Sequence, residues 1–88
     1  MQSDLFPKEF GEIRCSSFPE VRELLESRGY RYLGCVNRLD CWVHYWLKQD
    51  GDRLYLAEAD GWLGNWTPFI WEIRSEELQR LLKRIDED

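Results

Sequence analysis

Apolar positions along this chain follow two different periods, and the switches between them mark its elements. Phe18, Val21, Leu24 and Leu25 recur at helical spacing, with Glu20, Glu23 and Glu26 on the other side. Ser17 and Glu20 form an S-x-x-E capping box, and Pro19 falls in the first turn, where its missing N–H does no harm. Gly29 is predicted to take the left-handed position that ends this helix, with Tyr30 folding back on Leu25.

From Tyr30 the period becomes two. The alternation predicts strands over Tyr30–Val36, Cys41–Lys48, Arg53–Ala59 and Thr67–Arg74, with a short earlier strand over Glu12–Cys15. Asn37–Asp40 reads as a loop, Asp50-Gly51 as a hairpin turn, and the glycine-bearing stretch Asp60–Trp66 as a longer loop. Pro68 places the last strand at an edge or a strand beginning. Ser75 caps a second helix, whose stripe is Leu78, Leu81, Leu82 and Ile85.

These elements predict an α+β domain in the order β-α-β-β-β-β-α, an antiparallel sheet of four to five strands with two helices packed on one face. Residues 1–10 are expected to form a loosely held arm and residues 11–88 a single domain.

The turn signals also sort side chains between the two sheet faces. Tyr30, Tyr32, Val36, Val43, Tyr45, Leu47, Leu54 and Leu56 share the face expected beneath the helices. The other face collects Arg31, Leu33, Cys35, Trp42, His44, Trp46, Tyr55, Ala57 and Ala59. Trp46 is expected between Arg31 and Tyr55 in a cation–π ladder, and Lys48 beside Arg53. An apolar centre on a face expected to meet water has two explanations. Either the arm or the 60–66 loop covers it, or it docks a partner.

Composition narrows the function classes. The 88 residues include five Trp, four Tyr and four Phe, a large aromatic supply for a thin core. Twelve basic against seventeen acidic side chains leave a net charge of −5, which argues against nucleic acid as the partner. The start of the chain lacks a signal-peptide pattern and no apolar run is long enough to span a membrane, so a cytoplasmic location is expected. Three cysteines without framework spacing read as reduced thiols.

Candidate chemistry is sparse. Cys15, Cys35, Cys41 and His44 add up to a zinc set only in number, because Cys41 and His44 point to opposite faces of a strand. Cys35 and His44 share a face and could pair as thiolate and imidazole, without an evident oxyanion site or cleft. Glu58, Asp60 and Glu72 are the carboxylates nearest the strands, and the outer row of the first helix, Glu20, Glu23 and Glu26, reads as a solvated face. No catalytic residue, cofactor or metal is expected.

The pattern instead points to a small protein-binding module, an inhibitor, immunity-type antagonist or adaptor. Its candidate binding residues are Arg31, Trp42, His44, Trp46, Tyr55, Trp62 and Trp66. Its partner would be another protein or a second copy of the chain. The alternatives are a small enzyme or ligand-binding domain with a Cys/His/Trp pocket, and a homodimer joined through the aromatic face.

Overall fold

A computed structural model of the protein describes residues 14–39 and 41–87. Helix α1 (Phe18–Ser27) leads into strands β1 (Arg31–Arg38), β2 (Cys41–Asp50) and β3 (Arg53–Ala59). A single 3-10 turn (Trp62–Gly64), strand β4 (Phe69–Ile73) and helix α2 (Ser75–Glu87) complete the order. The strands form one antiparallel sheet in sequence order, an α+β arrangement.

Local chemistry sets the ends of α1. Ser17 Oγ accepts from Glu20 N at the N-terminus. The Glu20 carboxylate bonds back to Ser16, from N at 2.6 Å and Oγ at 2.8 Å. These bonds hold the Glu20 carboxyl below its ordinary pKa. At the other end Gly29, with φ +92°, donates to Glu26 O while Tyr30 N donates to Leu25 O. That pair of bonds is a Schellman motif, and Tyr30 and Leu25 complete it by packing in one cluster.

No strand precedes α1 among the described residues. Arg14 and Cys15 are irregular, while the 1–10 arm and residues 12 and 13 of the expected strand lie outside the described residues. Cys15 instead ties the chain to the loop before β4, accepting from Trp66 N at 2.9 Å and donating its N–H to Thr67 Oγ1 at 3.2 Å.

Both hairpin registers differ from expectation by two residues. Asp50 pairs with Arg53, so the turn is Gly51-Asp52, with Gly51 at φ +61° as a tight primed turn needs. Arg38 pairs with Cys41, closing a two-residue connection where four were expected. A shift of two leaves the faces of β2 and β3 unchanged. A bulge between Tyr32 and Gly34 does not: it turns Tyr32 onto the Trp46 face. Arg31 consequently pairs with Leu47, and the cation–π contact here is made by Lys48 over Tyr30, 5.7 Å from the ring centre. Lys48 pairs with Tyr55, and Arg53 with Asp50.

The two helices lie on opposite faces, not on one. Val21 and Leu25 of α1 pack with Trp46, Tyr55, Ala57, Ala59 and Ile70, and the two alanines leave room for the helix. Leu78, Leu81 and Ile85 of α2 pack against Val36, Val43, Tyr45, Leu56 and Ile73. Neighbours such as Tyr45 and Trp46 project to opposite sides of the pleat, and both sides are apolar. Such a sheet is a middle layer and needs a cover on each face. Leu82, expected within the α2 stripe, is 38% exposed. At about 100° per residue it sits roughly 70° from the centre of the arc of Leu78, Leu81 and Ile85.

Candidate functional site

The aromatic face identified from the pattern is the floor beneath α1. Phe18, on the first turn of α1, meets the rings of His44 (4.7 Å between centroids), Trp66 (5.6 Å), Trp46 (5.9 Å) and Tyr32 (6.2 Å). Trp46 is 0% exposed and Tyr55 is buried, so neither presents a surface. Trp46 Nε1 has no hydrogen-bond partner among the described residues, a cost of about 1–3 kcal/mol that the burial of the ring outweighs. Arg31 is exposed and separate from this cluster. Trp42 is 48% exposed near the start of β2.

His44 and Tyr32 form the polar rim of the cluster, with Tyr32 Oη 2.9 Å from His44 Nδ1. Burial lowers the His44 pKa and favours the neutral ring, whose tautomer sets which of the two groups donates. Tyr32 is pushed up to about 12, first by burial and then by Cys35. Cys35 is the direct cross-strand partner of His44, but Tyr32 occupies Nδ1 and Phe18 covers the ring. The three thiols are free: Cys15 is buried, and Cys35 and Cys41 are half-buried. Among the described residues no three His, Cys, Asp or Glu side chains are grouped to hold a metal ion. On α1, Arg22 pairs with Glu26 at 3.2 Å, as on an ordinary solvated face.

The 60–66 loop divides its two tryptophans. Trp66 turns inward and covers Gly61, which has φ +70°; a side chain on Gly61 would collide with the indole. Trp62 points outward and is 56% exposed. On the neighbouring strand Phe69 is 63% exposed and stacks on Trp71 with 5.3 Å between centroids.

Two hollows meet at this end of the sheet. The first, about 290 Å³, is walled by Trp62 and Phe69, with Glu58, Asp60, Asn65 and Thr67 around it. The second, about 440 Å³, runs beside α2 between Phe69, Trp71, Tyr45, Leu81 and Arg38. Glu58 and Phe69 line both. The Glu58 carboxyl is pushed above its ordinary pKa by burial and further by Asp60, while Arg38 opposes the rise. No hydrogen bond or ion pair to the Glu58 carboxylate occurs among the described residues. Asp60 keeps one carboxylate oxygen on Trp62 N at 3.0 Å. Glu72, the third strand carboxylate, lies opposite Tyr55 and acts on Arg53 instead.

Of the expected binding residues, the structure leaves Trp42 and Trp62 as exposed rings, and only Trp62 borders a hollow described here. Phe69, Trp71 and Glu58 join Trp62 although the sequence pattern did not assign them to binding. The available signal was Pro68, which marks β4 as an edge strand whose rings need not be buried.

These features define a small antiparallel α+β domain with one helix on each sheet face and an acid-floored aromatic hollow at its β3–β4 end. No protein-family model, curated protein or solved structure matches the chain. Among the described residues no helix is long and apolar enough to cross a membrane.

Proposed function

We propose that the protein is a small binding module that docks another protein through its β3–β4 end, acting as an inhibitor, antagonist or adaptor rather than as a catalyst. The supporting observation is the grouping of Trp62, Phe69 and Trp71 around Glu58. In a domain that spends Trp46, Tyr55 and Tyr30 on its core, Trp62 and Phe69 stay at the surface, with Trp71 half-buried beside Phe69. Exposed aromatics beside a hollow are the usual anchors of an interface. Three free thiols fit a reducing compartment such as the cytoplasm.

A photo-crosslinking residue at position 69, compared with one at the fully exposed Leu39, tests this in the native cell. A discrete protein adduct at 69 that disappears with Trp62→Ala supports the reading. No adduct at 69, or the same adducts from both positions, overturns it.

A further inference from the structure

Among the described residues the sheet has two open edges, and they are unequally defended. The β1 edge carries the bulge at Tyr32–Gly34 and exposed arginines at both ends, Arg31 and Arg38. Bulges and edge charges both discourage strand addition. The β4 edge, Phe-Ile-Trp-Glu-Ile, has a continuous register against β3 and carries a single charge, the acidic Glu72, with no lysine, arginine or proline within it. Its outward backbone groups are a template for another extended chain.

Charge selects the chain that fits. The Glu58 carboxylate is half-buried with no hydrogen bond or ion pair among the described residues, offset only in part by the charge of Arg38, and Asp60 lies beside it in the same hollow. Among the described residues the two hollows hold one cation, Arg38, which spends Nη2 on Tyr45 Oη at 3.1 Å. Glu77, at the α2 side, accepts from the backbone of Arg74. The Trp62 and Phe69 walls add faces that attract a cation. A second copy would bring its own net charge of −5 to this acidic end.

On the reading that the β3–β4 end is a docking surface, we propose that its occupant is an extended basic segment of a partner protein. The segment adds along β4 as a fifth strand and places a lysine or arginine between Trp62 and Phe69, against Glu58 and Asp60. Neighbouring strands stand about 4.8 Å apart, so Glu58 lies roughly two spacings from the added backbone, within the combined reach of a lysine and a glutamate. Backbone pairing would supply the affinity and the half-buried carboxylate the choice of side chain. Glu58 would then relinquish its raised pKa on binding, because the cation returns what burial removed.

The test uses the full chain and capped peptides of about eight residues, the length of a long strand, with alternating valine and lysine. Controls replace lysine with glutamate, or methylate alternate backbone nitrogens. The expected result is that the lysine peptide moves the amide resonances of Phe69–Ile73 and the Trp62 indole. The glutamate peptide and the N-methylated peptide should each bind at least about tenfold more weakly. The variant E58Q/D60N, with an unchanged amide spectrum elsewhere, should lose about tenfold for the lysine peptide and little for an all-valine one.

Equal binding of the lysine and glutamate peptides, no binding of the lysine peptide at about 1 mM, or shifts away from β4 would overturn the proposal. A dimer in sedimentation that Trp71→Lys dissociates would also overturn it, since a second copy then holds the edge. Position-69 adducts to a partner without a basic strand would sink this inference and leave the docking surface standing.

Discussion

Ile85 of α2 sits directly over Gly34 of β1: a Cβ on Gly34 would stand 2.7 Å from Ile85 Cγ2. Gly34 also has φ +143°, in a region that side chains rarely adopt. The bulge and the seat of α2 therefore depend on the same missing side chain. Gly34→Ala should cost about 1–3 kcal/mol from strain and overpacking together. In a double-mutant cycle with Ile85→Ala, measured by urea titration, the two losses should be less than additive. Strict additivity would show that the close approach carries no energy.

Trp46 and Trp62 should respond in opposite ways to truncation. Trp46 is wholly enclosed, so Trp46→Ala should remove about 3–5 kcal/mol, enough to unfold much of a domain this small. Trp62→Ala should stay within about 0.5 kcal/mol of the parent, as exposed positions do. Thermal melts of the two variants under one condition decide this. A Trp46 variant that melts with the parent would mean that α1 does not seal the sheet.

The α2 stripe gives a paired comparison on adjacent residues. Leu81→Ala should cost about 2 kcal/mol, the low end for a core leucine, because Leu81 packs against the β2–β3 cluster from a half-buried position. Leu82→Ala should cost less than about 1 kcal/mol, since Leu82 lies outside that cluster. Chemical denaturation of both variants checks the rotation of the helix. Equal losses would place the helix differently on the sheet.

His44 predicts a pH dependence with a defined sign. Burial holds its folded pKa below the ordinary 6.5, so the unfolded chain takes up the proton first. The stability it contributes is complete above about pH 6.5 and falls as the pH drops toward the folded value. Protonation also leaves Nδ1 able only to donate toward Tyr32 Oη. The raised pKa of Glu58 works in the opposite direction, so the informative quantity is the difference between the parent and His44→Gln. Between about pH 7.5 and about pH 5.5 the parent should lose more stability than the variant. Parallel curves would remove His44 from the account.

Helix α1 was legible in the sequence from cap to cap, because each of its signals is local: Ser17 before Pro19, and Gly29 before Tyr30. The strict alternation of β2 and β3 likewise fixed which of their residues share a face, and that survived a register shift of two. The bulge at Gly34 was not legible, since a glycine within an alternating run does not announce which way its strand will kink. That kink alone moved Tyr32 to the α1 side of the sheet and Arg31 away from Trp46. The placement of the helices was also beyond any single segment. Apolar residues on both sheet faces state that two covers are needed, but only the packing of the whole chain assigns α1 to Trp46 and α2 to Tyr45. For the same reason the candidate site moved from the centre of a sheet face to its β4 edge. A ring's exposure depends on what lies above it, and what lies above Trp46 is a helix nineteen or more residues earlier in the chain.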